Sequence, residues 1–251
     1  MNEALALYGF TKYFPGVLAN DHIDLTINQG EIHGLLGENG AGKSVLMSTL
    51  YGLYRPDAGK VFIRGQEVTI HSPAQAITLG IGMVHQHFTL VENMTVWENI
   101  ILGKELCRGF ILDKNRIISE LQQLLDKTGF EIDLNARIYE LPIGLQQRVE
   151  ILKILYRGAD ILIFDEPTAV LTPQEVDQLF KTFRQLVQNG KTIIFISHKL
   201  KEIFCICDRV TVLRRGKKIG TLAIDEATPE SLAEMMVGRK VLFSFEKLKA
   251  S

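Results

Sequence analysis

Residues Gly37-Glu38-Asn39-Gly40-Ala41-Gly42-Lys43-Ser44 fit the pattern G-x-x-x-x-G-K-[ST], which works only between a strand and a helix. Its glycines let the backbone wrap with N–H groups pointing inward at phosphate oxygens, a path that side chains would obstruct. Lys43 is then placed to reach the β- and γ-phosphates of a nucleoside triphosphate, and Ser44 to offer its hydroxyl to Mg2+. The flanks supply both neighbours. Residues 31–36 are a short, mostly apolar run of the kind a buried strand needs, and residues 44–52 read as a helix whose N-terminal dipole attracts anions.

The same alternation returns later in the chain. Residues 161–164 and 192–196 are unbroken apolar runs, as in parallel strands covered on both faces, with a helix expected over 173–188 between them. The N-terminal part carries β-prone runs at 5–12, 23–28 and 61–70, then a brief helix at 73–79 and a strand at 82–86. From Thr95 to Gly158 the pattern turns helical. Asp113 can cap a helix carrying Ile117, Leu121, Leu124 and Leu125, and Leu145, Val149, Leu152 and Tyr156 share a face of another. With 251 residues and 46% hydrophobic content the chain can bury a sizeable core, and one α/β domain with subdomains is expected.

Composition excludes several partners. A net charge of −1 and a pI near 6.6 leave no broad cationic surface for nucleic acid. The longest stretch free of Asp, Glu, Lys and Arg, residues 68–91, holds three histidines and is too polar to span a bilayer. Residues 1–10 show no basic segment followed by an apolar core, so no signal peptide is expected and the chain is assigned to the cytosol. Cys107, Cys205 and Cys207 fit neither a C-x-x-C redox motif nor a zinc spacing, and read as reduced packing residues.

Chemistry reappears where the apolar runs end. Asp165 and Glu166 follow 161–164 at once, at the carboxyl edge where α/β sheets hold ligands. Asp165 there can hold Mg2+, and Glu166 can orient or deprotonate the attacking water. Gln86 and His198 end two other apolar strands. A parallel sheet gathers such ends along one edge, so Gln86 could ligate Mg2+ and His198 could hydrogen-bond the γ-phosphate. His85 and His87 flank Gln86 without a zinc pattern.

Taken together these residues resemble the ATP-binding subunit of ABC transporters, over about residues 5–239. Gln86, the signature segment 141–145, Asp165-Glu166, the D-loop 169–172 and His198 follow the phosphate loop in the order found in that family. The resemblance implies a P-loop NTPase core with an N-terminal antiparallel β subdomain and an inserted α-helical subdomain. Its expected parts are a core of 1–86 and 159–238, a helical subdomain of 87–158 and a tail or linker of 239–251. It also implies ATP and Mg2+ as cofactors, contacts from Glu38, Asn39, Gly40, Ala41 and Val45 besides the loop residues named above, and an aromatic stacked on adenine. Phe14 takes that last place, with Tyr13 a near alternative and core packing the plainer reading. The implied partners are a second nucleotide-binding domain, as a homologous half or a second copy, membrane permease subunits reached through 87–102, and indirectly a substrate-binding receptor. The stretches around Gly82, Leu155 and Asp165 resemble importers of simple sugars and nucleosides. Met236-Val237-Gly238-Arg239 resembles the end of the first half of a tandem protein. The expected place is the cytoplasmic face of the cell membrane.

The chain also departs from that family's pattern. Its signature reads Leu141-Pro142-Ile143-Gly144-Leu145, so Pro142 removes a serine hydroxyl and an N–H that would touch a partner's γ-phosphate, while Gly144 keeps a backbone contact. Thr172 replaces the D-loop aspartate and Val45 a threonine. The resemblance therefore implies unequal sites, with this chain's own phosphate loop, Glu166 and His198 forming the principal one. A regulatory half with little turnover and a soluble, non-transport relative are the competing readings.

Overall fold

The computed structural model describes residues 3–86, 88–108 and 111–239; His87 and residues 1–2, 109–110 and 240–251 lie outside the described residues. Strands β1 (Glu3–Phe14) and β2 (Val17–Asn28) form a hairpin across Pro15 and Gly16, and β3 (Ile32–Leu36) leads through the glycine loop into α1 (Lys43–Leu50). A second hairpin, β4 (Ala58–Ile63) and β5 (Gln66–Val68), precedes α2 (Pro73–Thr78) and β6 (Ile81–Val84). The next stretch holds α3 (Val96–Ile101), a small hairpin of β7 (Cys107–Arg108) and β8 (Ile111–Leu112), α4 (Lys114–Thr128) and α5 (Ile143–Tyr156). The chain then alternates through β9 (Ile161–Asp165), α6 (Pro173–Gln188), β10 (Thr192–Ser197), α7 (Leu200–Ile206) and β11 (Arg209–Arg214). It closes with β12 (Lys217–Ala223) and α8 (Pro229–Val237).

Two sheets organise these elements. The first is antiparallel, in the order β2-β1-β4-β5, and the second has the order β12-β11-β3-β10-β9-β6, parallel except for β12. This is the expected α/β architecture, with helices α3 to α5 inserted between β6 and β9. Period-two alternation divides the core. Leu162, Phe164, Ile193 and Phe195 pack on one face of the larger sheet with α5 and α6, whereas Ile161, Ile163, Ile194 and Ile196 pack on the other with α1 and the antiparallel sheet. Both faces are covered, which is why β9 and β10 are apolar at every position of their interiors.

Local chemistry starts and stops the inserted helices as expected. The Asp113 carboxylate accepts from the Arg116 N–H at 3.2 Å, Gly129 ends α4 in the left-handed conformation, and Ile117, Leu121 and Leu125 are buried on one face. Thr95 and Glu98 form a reciprocal capping box at the start of α3.

Several expectations need correction. The run 61–70 is not one strand: Arg64 and Gly65 both adopt positive φ (50° and 80°), the two-residue turn whose twist suits a hairpin. The strand expected over 82–86 ends at Val84, so His85 and Gln86 stand beyond the ladder. The region from Thr95 to Gly158 contains the β7–β8 hairpin as well as helices. Of the cysteines only Cys207 is a packing residue, its thiol pKa pushed up by burial; Cys107 and Cys205 are exposed.

The aromatic knot under the sheet gives a direct test. Phe183 of α6 is fully buried, its ring 4.4 Å from Phe164 of β9 and 6.0 Å from Phe195 of β10. Phe183→Ala is expected to destabilise the fold by about 3–5 kcal/mol in urea unfolding. A loss below about 1 kcal/mol would mean the knot contributes little to the β9–β10 platform.

Candidate functional site

The strands carry their chemistry to one edge because they pair in register. Leu36 stands opposite Ser197, and Ile196 opposite Asp165, so β3, β10 and β9 release Gly37, His198 and Glu166 side by side. The Glu166 N–H extends that ladder by one step, donating to the Ile196 carbonyl at 3.1 Å.

The glycine loop is held tightly from outside. Gly42 adopts φ 98°, and a Cβ there would overlap the Ala19 carbonyl, so both conformation and space demand glycine. Asn20 is fully buried and donates to the Gly42 carbonyl at 3.1 Å, while the Gly216 N–H, from the turn between β11 and β12, donates to the Ala41 carbonyl at 3.1 Å. Sequence reasoning did not single out Asn20 or Gly216. The Arg215-Gly216 dipeptide signals a turn, but nothing local says that the turn braces a loop far away in the chain.

Lys43 starts α1 and folds back over its own loop. Its Nζ donates to the Gly37 carbonyl at 2.7 Å and the Glu38 carbonyl at 3.0 Å. Burial depresses its pKa, and the nearby Glu166 and Asp165 oppose that shift. An anion in the loop would supply the charge partner that these two carbonyls only approximate. Residues Asn39 to Val45 line an open groove of about 290 Å³ together with Gln86 and Glu166.

Ser44 and Asp165 meet across the groove floor, the hydroxyl donating to the carboxylate at 3.2 Å. Burial raises the Asp165 pKa; the Ser44 hydrogen bond opposes it, neighbouring Glu166 adds to it and Lys43 opposes it. A buried acid beside a hydroxyl, with Gln86 lining the same groove, offers oxygen donors of the kind that fit a hard divalent cation. Ser44, Gln86 and Asp165 are therefore the residues able to hold Mg2+.

Glu166 stands in a strained conformation, φ 48°, which a non-glycine residue keeps only where its surroundings enforce it. Its carboxylate lies 2.9 Å from Nδ1 of His198, whose side chain is 42% exposed. Behind this pair, Glu202 of α7 accepts from the hydroxyls of Thr168 (2.8 and 2.9 Å) and Ser197 (2.9 Å), and so ties the turn after Glu166 to the strand end before His198. Glu202 was not expected; as one charged residue on a short helix it gives no local signal.

Two expected contacts stand apart from the groove. Phe14, at the end of β1, is half-buried, packed edge-on against Tyr54 at 5.2 Å with the Lys12 ammonium 5.2 Å from its ring centroid, and it is not among the groove-lining residues. Gly144 lies in the first turn of α5 against the Glu175 side chain, where a Cβ would crowd the carboxylate oxygen at 2.7 Å. Pro142 is the N-cap of α5, its carbonyl accepting from Leu145 and Gln146 at 2.9 and 3.1 Å. Thr172 caps α6 in a reciprocal box with Glu175, a local role that aspartate fills equally well.

Comparison with known proteins gives this arrangement a context. The chain is 54% identical over 250 residues to the guanosine import ATP-binding protein NupO of Bacillus subtilis, covering 100% of this chain and 49% of that protein. It is 49% identical over 271 residues to the glucose import ATP-binding protein TsgD13 of Haloferax volcanii, covering 97% of this chain and 49% of that one. The chain thus spans about half the length of these relatives. A crystal structure of an ATP-binding cassette of an ABC transporter in its ADP conformation superposes with a TM-score of 0.84 at 24% identity, covering 95% of this chain and 100% of that one, and so shares the fold. Residues 20–169 match the sequence profile of the ABC transporter family. With its glycine loop, buried Asp165 and strained Glu166 on one sheet edge, the chain belongs to the ABC transporter family.

Proposed function

We propose that this chain binds ATP with Mg2+ in the groove beside Lys43, hydrolyses it, and thereby energises a membrane importer of simple sugars or nucleosides. The observation that carries the reading is the convergence of Lys43, Ser44, Gln86, Asp165 and Glu166 on one sheet edge, with His198 2.9 Å from Glu166. Bound Mg2+ would supply charge neutralisation for the β- and γ-phosphates. Lys43 grips those phosphates, Glu166 takes the proton of the attacking water, and His198 holds Glu166 and the γ-phosphate in line. The names of the relatives, importers of guanosine and glucose, support the substrate class.

The same reading assigns the chain's surroundings. It pairs with a second nucleotide-binding domain, joined or separate, and works against membrane permease subunits fed by a receptor. Among the described residues no helix is long and apolar enough to cross a membrane. In this reading the chain meets those permeases at the cytoplasmic face. Residues 1–86 and 159–238 act as the nucleotide-binding core, 87–158 as the helical subdomain and 239–251 as a tail or linker. Within 87–102, exposed Val91 and Leu102 support a coupling surface, while Val96, Trp97, Ile100 and Ile101 belong to the core; His87 lies outside the described residues.

The two sites are unequal in this reading. Pro142 gives α5 no hydroxyl and no N–H at its cap, and the Glu175 side chain crowds Gly144 from within the chain. A phosphate held by this signature would forgo a charge-assisted hydrogen bond worth about 1.5–3 kcal/mol. Pro142→Ser in the assembled transporter is expected to raise turnover at the opposite site on the order of tenfold. Unchanged turnover would show that the signature cap does not limit that site.

Glu166→Gln tests the central role. Steady-state ATPase assays of the assembled transporter should show kcat lowered at least about 100-fold, with ATP affinity within about threefold of wild type. Turnover near wild type would remove Glu166 as the base and favour a regulatory half that holds ATP without cleaving it.

A further inference from the structure

Asn20 is a buried polar residue that the fold does not need. It is fully buried on β2, and while its Nδ2 donates to the Gly42 carbonyl at 3.1 Å, its Oδ1 is enclosed with no partner among the described residues. An acceptor left so costs stability. The donor is not required either, because the Gly42 carbonyl already accepts from the Leu46 N–H at 2.9 Å at the start of α1 and would not be orphaned without Asn20. The side chain therefore weakens the core around it, and its one hydrogen bond ends on the phosphate loop.

A second hold lies one residue earlier in that loop. The Gly216 N–H donates to the Ala41 carbonyl at 3.1 Å, and the Gly216 carbonyl accepts from the Asp21 N–H at 2.8 Å, with Lys217 Nζ 3.2 Å from the Asp21 carboxylate. Asn20 and Asp21 thus hold two successive loop carbonyls, one directly and one through the β11–β12 turn. There is no slack between the parts: a Cβ on Gly42 would stand 2.3 Å, and one on Gly216 2.9 Å, from the same Ala19 carbonyl oxygen.

Peptide geometry turns these holds into phosphate chemistry. The loop has no cis peptide, so each carbonyl points opposite to the N–H of the next residue. Drawing the Ala41 and Gly42 carbonyls onto the turn and β2 aims the Gly42 and Lys43 N–H groups away from both. Residues 42 and 43 line the groove, and among the described residues neither N–H donates to another backbone group. Two donors are left fixed in direction and unused.

We propose that Asn20 is a positioning residue for phosphate: its amide fixes the peptide between Gly42 and Lys43 so that the Lys43 N–H, beside the Gly42 N–H set by Gly216, is presented to the diphosphate part of a nucleotide. The inference rests on the reading that the groove takes the phosphates of ATP. Asn20 itself touches no nucleotide; it acts through the Gly42 carbonyl.

The test uses Asn20→Leu, which keeps the branched shape and removes the amide, and Asn20→Ala, which only shortens the side chain, in the full chain. ATP and ADP affinities are measured with Mg2+, the Tm is taken without nucleotide, and the Lys43 amide proton resonance is recorded with and without ADP. Asn20→Leu should bind both nucleotides about fivefold more weakly, in an unchanged ratio because both carry the diphosphate, with Tm equal to or above wild type. Asn20→Ala should lose affinity to the same extent. In both variants the shift of the Lys43 amide proton on adding ADP should fall to about half the wild-type shift or less. Affinities within about 1.5-fold of wild type in both variants would overturn the proposal while sparing the nucleotide reading. So would a loss in Asn20→Leu that comes with a lower Tm and an unchanged Lys43 shift, the mark of a merely structural residue. If the wild-type chain binds neither nucleotide, the reading of the groove fails and the proposal falls with it.

Discussion

Everything in the site depends on the parallel register of β3, β10 and β9. Because Leu36 pairs with Ser197 and Ile196 with Asp165, three strands end level, and the residues that follow them share one small region of space. Slipping one strand by a single residue would turn its buried side chains to the opposite face. Period-two packing forbids that slip, since Phe164 and Phe195 belong with α6 on one face while Ile163 and Ile196 belong with α1 on the other. Core packing and active-site geometry are thus the same constraint seen from two ends of a strand.

Lys43 is buried and satisfied only by two carbonyls of its own loop, and Asp165 is buried with its carboxyl tilted toward the neutral form. A polyanion with a divalent cation would add a negative partner for the ammonium beyond Glu166 and Asp165, and a positive one for the carboxylate beyond Lys43. The strained φ of Glu166 has the same character. The carboxylate is held in place by His198, and the turn behind it is fixed through Thr168 and Glu202. Such preorganisation costs stability locally and is offset by the apolar packing beneath the sheet.

The elements that local pattern determines were legible in the sequence. The glycine loop, the apolar runs of β9 and β10, the Asp113 cap and the acids at 165 and 166 each announce themselves within a few residues. What stayed hidden is what tertiary contact decides. Arg64 and Gly65 at positive φ broke an expected strand into a hairpin; Gly65 is a turn signal, but it lay inside an otherwise β-prone run. Gln86 lies two residues past its strand, since the β6 ladder stops where its partner β9 turns to the site. Asn20, Gly216 and Glu202 support the site from distant parts of the chain, and no spacing rule connects them to it. Gly144, read as facing a partner, lies beside Glu175, whose own place is set by the cap of α6.

The most direct measurement is a crystal structure of the chain with Mg2+ and a non-hydrolysable ATP analogue. The account predicts the triphosphate in the loop from Asn39 to Val45, Lys43 released from the Gly37 and Glu38 carbonyls onto the phosphates, and Glu166 facing the γ-phosphate. A nucleotide bound elsewhere, or a filled loop with Lys43 still on its own carbonyls, would contradict it.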